Sequence, residues 1–182
     1  FLEFIDNAEV LHVHSGETRH YSTTEASRIS VWSAKNCAFN QIIFTTYHSL
    51  HRIQESGIHV DTIYFDEAHN SVQKNFYQST EYFSNHAERC YFFTATPKHS
   101  RTPSKAGMNW TKTYGQVICQ VPAPKLVNQG YILPPKVEVY KTRILEKDEL
   151  VADRDSEQMI DAIDNLKKNK VLICAKSTKQ IV

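Results

Sequence analysis

The chain has 182 residues, of which 41% are hydrophobic and 23% are charged. This composition is close to that of ordinary globular domains, so bulk disorder is excluded and a sizeable core is expected. The net charge of +1 excludes binding to nucleic acid through overall charge alone, and any such contact must come from a local groove.

Short apolar runs alternate along the chain with helical or polar stretches. These runs predict strands at residues 9–14, 41–46, 62–65, 90–95, 117–121, 136–140 and 171–175. Several of them are apolar throughout, which is typical of strands in a parallel sheet that helices cover on both faces. The sequence therefore predicts an α/β fold with a doubly wound sheet.

The stretches between the runs carry helix signals. The segment Ser22-Thr23-Thr24-Glu25 has the pattern of a capping box, so a helix is expected to begin there. Apolar residues at helical spacing predict two further helices, one with Val72, Phe76 and Phe83 on a single face and one with Met159, Ile160, Ile163 and Leu166.

A domain boundary is expected where prolines become frequent. Pro122, Pro124, Pro134 and Pro135 interrupt the chain, and Gly130 is expected to stop a helix. We therefore predict a first domain over residues 1–121, a connector over residues 122–135 and the start of a second domain over residues 136–182.

The cysteines and the hydropathy bear on the compartment. Cys90, Cys119 and Cys174 lie in apolar runs and no CxxC pair occurs, which favours buried, reduced thiols in a cytoplasmic protein. No apolar stretch approaches the length that spans a membrane, and no secretory leader is visible, so no membrane partner is expected.

The apolar run over residues 62–65 ends in two adjacent carboxylates, Asp66 and Glu67, followed by Ala68 and His69. Magnesium prefers oxygen ligands and keeps most of its waters, so a carboxylate such as Asp66 can hold it. Glu67 could then act as a general base towards water, and His69 could bond a partner across a cleft. The alternative is a solvated acidic turn after a core strand.

Two further strands end in hydroxyl side chains. One is followed by Thr94, Ala95, Thr96 and Pro97, and such hydroxyls can bond a neighbouring carboxylate or histidine. The other is followed by residues 45–50, TTYHSL, a loop that could donate to phosphates and stack on bases. The alternatives are an ordinary strand exit for the first and a helix cap at Thr45 or Thr46 for the second.

The order TTYHSL, DEAH, TATP resembles motifs Ib, II and III of superfamily 2 DExH/DEAH-box helicases and translocases. The closest likeness is to the group with the type I and III restriction motor subunits and the UvrB-type N-terminal helicase domain. Residues 125–135 resemble the connector between two RecA-like domains, and residues 171–177 resemble motif IV of the second. The resemblance implies a RecA-like parallel sheet followed by the start of a second RecA-like domain.

The resemblance also implies roles, with ATP and Mg²⁺ as cofactors. Asp66 and Glu67 would hold the metal, Glu67 would activate the hydrolytic water, and His69 would link the ATP site to the cleft. Thr94 and Thr96 would couple hydrolysis to movement on nucleic acid. The strand backbone would be contacted by four residues, Thr45, Thr46, Ser15 and Gly16.

The resemblance is incomplete, since the sequence has neither a GxGK[ST] phosphate loop nor the arginine-bearing motif VI. We therefore expect a fragment of an ATP-dependent DNA helicase or translocase that hydrolyses ATP hardly at all by itself. DNA is preferred because Thr-Ala-Thr-Pro is more typical of DNA-directed members than Ser-Ala-Thr. The alternatives are an RNA helicase, a restriction-endonuclease motor subunit and a non-catalytic RecA-like binding domain.

Overall fold

The computed structural model describes residues 5–16, 18–134, 136–147 and 150–166. The chain divides into two compact units, Phe1–Cys119 and Gln120–Val182. The described part of the first unit contains four strands and four α-helices, and that of the second contains two α-helices.

The strands of the first unit form two parallel pairs. Strands β1 (Ala8–Val13) and β2 (Asn40–Thr45) pair in register from Ala8 with Asn40 to Val13 with Thr45. Strands β3 (Thr62–Phe65) and β4 (Arg89–Phe92) pair from Thr62 with Arg89 to Phe65 with Phe92. Within the described residues the pairs are separate two-stranded sheets. The mixed α/β architecture with parallel strands is confirmed, whereas a complete RecA-like sheet is not seen.

Helices α1 (Ala26–Lys35), α2 (Leu50–Ser56), α3 (Lys74–His86) and α4 (Thr111–Tyr114) accompany these strands. One hydrophobic cluster joins both strand pairs to α1, α2 and α3, and its buried members are Leu11, Val13, Ile29, Trp32, Leu50, Ile53, Phe65, Ala68 and Phe83. Each large apolar side chain in such a cluster contributes about 1.5–3 kcal/mol through burial. The two sheets therefore share one core, although no strand pairing connects them among the described residues.

The second face of the β3–β4 pair is not covered by the described residues. Ile63 and Phe65 face the core, and the alternating aromatic rings lie on the other side. Tyr64 stacks on Tyr91 with ring centroids 5.4 Å apart and is 62% exposed, while Phe93 is 54% exposed. Burial on both faces, expected from the apolar sequence, is thus not seen for this pair.

Helix α1 is confirmed, but it begins later than the capping box predicts. Glu25, expected at the third helical position, is instead the N-cap, and its carbonyl accepts the first helical bonds. The Ser22 hydroxyl donates to the His14 carbonyl at 3.2 Å, and Thr23 Oγ1 accepts from the Glu25 amide at 3.2 Å. The Ser22 hydroxyl is therefore used at the end of β1, and the Thr23 hydroxyl is used at the amide of the N-cap residue.

The apolar face of α3 is also confirmed. Phe76 and Phe83 are buried, while Val72 precedes the helix and is half-buried. The thiol of Cys90 contacts the carbonyl of Phe83 at 3.4 Å, and partial burial raises the pKa of this thiol to about 11. Cys90 is thus half-buried, whereas the sequence predicted a buried thiol.

Strands predicted over residues 117–121 and 136–140 are not formed, and both segments are exposed. Cys119 is exposed as well, so its predicted burial is wrong. An apolar run becomes a strand only when a partner supplies the ladder bonds and covers its side chains, and the part of the chain that the structure describes supplies no such partner. The predicted strand over residues 171–175, with Cys174 and the motif IV likeness, lies outside the described residues.

Helices α5 (Ala123–Asn128) and α6 (Val151–Leu166) belong to the second unit. Gly130 has a φ of +75°, its amide bonds the Val127 carbonyl, and the Tyr131 amide bonds the Leu126 carbonyl. This bond pattern is a Schellman cap, which confirms the helix stop predicted at Gly130. The helix predicted from the stripe around Met159 is confirmed by α6. The expected start of a second RecA-like domain over residues 136–182 remains a prediction.

Candidate nucleotide site

The acidic turn follows β3 directly. Asp66 is the first residue past the strand, and a short 3-10 helix, Ala68–Asn70, begins two residues later. Glu67 between them has φ of 46° and ψ of 47°, the left-handed conformation that a residue with a Cβ rarely adopts. The Asp66 Oδ1 atom accepts from the Glu67 amide at 2.9 Å and stabilises this turn. The backbone thus places two exposed carboxylates at the end of a strand that is buried on one face.

Backbone bonds join this turn to the end of β4. The Phe93 amide donates to the Phe65 carbonyl at 2.9 Å, and the Ala68 amide then donates to the Phe93 carbonyl at 2.8 Å. Ala68 is fully buried, so no larger side chain fits at this position without displacing the core. The carboxyl ends of β3 and β4 are therefore fixed side by side, as expected for adjacent parallel strands.

His69 lies at the centre of the polar contacts at this edge. Its Nδ1 atom is 3.0 Å from Thr94 Oγ1, 3.3 Å from Glu67 Oε2 and 3.4 Å from Thr96 Oγ1. The His69 side chain is 21% exposed, which leaves these contacts partly shielded from water. The Thr96 amide also donates to Thr94 Oγ1 at 3.1 Å. The structure therefore brings Glu67, His69, Thr94 and Thr96 together.

The hydroxyls at the end of β2 behave differently from each other. Thr45 Oγ1 donates to the Val13 carbonyl at 3.1 Å and thereby links the ends of β1 and β2. Thr46 is exposed. The cap alternative is not realised through either hydroxyl, because α2 begins after Ser49 without a side-chain cap. Thr46 is consequently the more accessible of the two for a ligand.

Tyr47 is a residue whose position the sequence did not predict. The sequence suggested that this loop could stack on bases, which would require a solvent-facing aromatic ring. The ring of Tyr47 instead packs between Phe65 and Phe76, with ring centroids 6.2 Å and 5.7 Å away. Its hydroxyl donates to the Asp66 carbonyl at 2.8 Å. The TTYHSL loop is thus bonded to the acidic turn. The apolar residues Phe65 and Phe76 indicate from sequence that a core surface exists here. They do not indicate that the ring of Tyr47 packs against it.

Ser15 and Gly16 line an open groove at the end of β1. The groove has a volume of about 570 Å³, and its lining is almost entirely polar: His14, Ser15, Gly16, Thr18, Ser22, Thr23, Thr24, Glu25 and Arg28. The Gly16 amide donates to His14 Nδ1 at 2.9 Å, and a Cβ at Gly16 would lie 3.1 Å from the same atom. Hydroxyls, an arginine and a histidine of this kind suit contacts with phosphate oxygens.

Histidines crowd the strand beside this groove. His12 Nδ1 is 3.3 Å from His14 Nε2, and its ring stacks on that of His20 at 5.5 Å. Burial, followed by the charges of His14 and His20, lowers the pKa of His12.

Three metal-capable atoms come together, among the described residues, at His59, Asp61 and Glu88. That exposed group precedes β3 and β4, at the end opposite the acidic turn.

Comparisons with known proteins give one match. The sequence profile of a family described as "Type III restriction enzyme, res subunit" matches residues 1–99, which include β1 to β4 and the acidic turn. No curated protein and no solved structure matches the chain. No helix of the described residues is long and apolar enough to cross a membrane.

The matched segment covers more than half of the 182 residues and contains the TTYHSL, DEAH and TATP segments. The family consists of helicase-like ATPases that serve restriction enzymes, which agrees with a superfamily 2 helicase domain. The chain belongs to the family of type III restriction enzyme res subunits.

Proposed function

We propose that these residues form part of an ATP-dependent DNA helicase or translocase. The observation that carries the proposal is the contact of His69 Nδ1 with Glu67, Thr94 and Thr96 at the adjoining ends of β3 and β4. These contacts connect the acidic turn to the threonines that follow the neighbouring strand. Such a connection is what a motor needs between hydrolysis and movement.

The acidic turn suits a magnesium ion. Asp66 and Glu67 are exposed carboxylates, and Asp66 keeps one oxygen beyond the one that accepts from the Glu67 amide. Mg²⁺ takes oxygen ligands and retains several waters, so an open site of this type fits it. When bound, the ion would neutralise charge on the β- and γ-phosphates of ATP.

Glu67 would act as the general base. Its backbone is left-handed whereas β3 is extended, so we assign the two acids different roles. A backbone in this region costs on the order of 1–2 kcal/mol and persists at sites where the surroundings fix it. Asp66 would hold the metal, and Glu67 would orient and deprotonate the attacking water.

Nucleic acid would bind near the ends of β1 and β2. The groove beside Ser15 and Gly16 offers hydroxyls and Arg28, and the exposed Thr46 adds a further hydroxyl in this unit. Thr45 would contribute through its bond to the Val13 carbonyl, which holds the loop in place. DNA is the proposed partner because the TATP form is more typical of DNA-directed members, with RNA as the alternative.

Catalysis would also require a phosphate-binding loop, and no GxGK[ST] segment occurs in the sequence. We therefore expect these 182 residues to supply the metal and water side of the ATP site within a full-length protein. The second candidate function, a restriction-endonuclease motor subunit, is favoured by the family match. The helicase and the restriction motor subunit would share the same ATP chemistry. They differ in the nuclease that would accompany the motor subunit.

ATP turnover by the full-length protein tests the proposal. The rate is measured without nucleic acid, with double-stranded DNA, with single-stranded DNA and with RNA at fixed salt. We expect Mg²⁺-dependent hydrolysis that DNA stimulates more than RNA does. Stimulation by RNA alone would favour the RNA helicase. Absence of hydrolysis under every condition would contradict the motor and leave the non-catalytic binding domain.

A further inference from the structure

The hydroxyl of Tyr47 joins two segments that the proposed function assigns to different ligands. Tyr47 follows Thr46 directly, in the loop proposed to meet nucleic acid. Its hydroxyl donates to the Asp66 carbonyl at 2.8 Å, and Asp66 opens the turn proposed to meet Mg²⁺ and ATP. This side-chain hydrogen bond directly connects the TTYHSL loop to the acidic turn.

The ring of Tyr47 packs against two aromatic side chains. It packs on Phe65, the last residue of β3, and on Phe76 of α3, both of which are buried. Burial, followed by the charges of Tyr114, Asp66 and Glu67, raises the pKa of Tyr47. The ring contacts place the hydroxyl within bonding distance of the Asp66 carbonyl.

The accepting carbonyl is part of the peptide unit between Asp66 and Glu67. The amide of the same peptide donates to Asp66 Oδ1 at 2.9 Å, so both polar atoms of the unit are bonded. Glu67 has its strained left-handed conformation immediately after this unit. Rotation of the peptide plane would relieve that strain, and the bond from Tyr47 opposes such a rotation.

We propose that Tyr47 is a positioning residue that transmits nucleic-acid binding at the Thr45–Thr46 loop to the orientation of Asp66 and Glu67. The inference rests on the proposed function. When nucleic acid fixes the loop, Tyr47 holds the peptide between the two acids and keeps Glu67 aimed at the water. When the loop is free, Tyr47 can shift with it, and the general base is less often in place.

The test compares Tyr47→Phe with wild type in the full-length protein. The substitution keeps the ring between Phe65 and Phe76 and removes only the donor. One hydrogen bond corresponds to about a two- to twelvefold change in an equilibrium. We expect the DNA-stimulated kcat to fall by about that factor, while the KM for ATP and the Kd for DNA change less than twofold.

Two further variants separate the hydroxyl from packing. Tyr64→Phe removes a hydroxyl from an exposed tyrosine on β3 and should leave the stimulated kcat unchanged. Phe76→Leu loosens the packing around Tyr47 but keeps the hydroxyl. It should lower the thermal unfolding midpoint and preserve most of the stimulation. A purely structural role of Tyr47 predicts the opposite, with Phe76→Leu the more damaging variant for stimulation.

The outcomes separate this inference from the proposed function. If wild type shows no DNA-stimulated hydrolysis, the motor proposal fails, and the inference fails with it. If wild type is stimulated and Tyr47→Phe is stimulated equally, only the inference is overturned. It is overturned as well if Tyr47→Phe loses DNA affinity in proportion to rate, because Tyr47 would then act on binding alone.

Discussion

Thr94→Val is the sharpest probe of the contacts around His69. Valine has nearly the volume of threonine, so the substitution leaves the packing of the half-buried side chain in place. It removes one oxygen that lies 3.0 Å from His69 Nδ1 and also accepts from the Thr96 amide at 3.1 Å. Two hydrogen bonds are therefore lost in a single step.

The expected loss follows from these partners. A net hydrogen bond contributes about 0.5–1.5 kcal/mol, so two would contribute about 1–3 kcal/mol. Thr96 is exposed and its amide can bond water instead. His69 retains Glu67 at 3.3 Å and Thr96 Oγ1 at 3.4 Å. The free energy of unfolding should consequently fall by about 1–2 kcal/mol, in the lower part of that range.

Urea denaturation followed by circular dichroism measures this loss. A midpoint shift on the order of 0.5–1 M is expected, since the slope for small proteins is about 1–3 kcal/mol per molar. Thr94→Ser keeps the oxygen and should shift the midpoint less. A double-mutant cycle with His69→Ala should give a coupling energy of about 1 kcal/mol. Additive effects of the two substitutions, within about 0.3 kcal/mol, would refute the assigned contact.

Substitutions in the core and the loss of stability at high pH give two further predictions. Phe83→Ala, at a side chain that is 2% exposed, should cost about 3–5 kcal/mol in urea denaturation, and Phe44→Ala on an exposed ring should cost far less. Burial raises the pKa of Cys90 to about 11 and that of Tyr114 to about 12. Protonated in the folded state, these groups stabilise the fold fully below about pH 9 and lose that contribution as pH rises towards 12. Thermal unfolding midpoints should fall across this window, and less steeply for Cys90→Ala; an unchanged slope would contradict the burial of the thiol.

The four strands of the first unit were predictable to within a few residues. Each combines an apolar run with polar residues that end it, and β3 is found at the predicted residues. Residues 117–121 have the same local character yet form no strand, because the outcome depends on a partner that local sequence does not reveal. The start of α1 was misplaced for a related reason, since the Ser22 hydroxyl bonds the His14 carbonyl after β1 instead of a helical amide, and Thr23 bonds only the amide of the N-cap residue Glu25.

The candidate site was predictable only in part. Adjacent parallel strands bring their carboxyl ends together, so residues after β3 and β4 could be expected to meet, and His69 and Thr94 do lie 3.0 Å apart. The left-handed backbone of Glu67 had no signal, because the residue is neither glycine nor asparagine. The sequence also held no signal that the ring of Tyr47 faces the core, since a lone aromatic residue after a strand can face solvent or core equally well. The assigned roles of these residues remain predictions.

Glu67→Gln tests the central claim most directly. The substitution keeps the size of the side chain and removes the carboxylate that would take a proton from water. Steady-state ATP turnover and equilibrium ATP binding are measured on the full-length protein and on this variant, with DNA present. The account predicts that turnover falls by at least about a hundredfold while the Kd for ATP stays within a few-fold of wild type. Hydrolysis at the wild-type rate by the Glu67→Gln variant would contradict it.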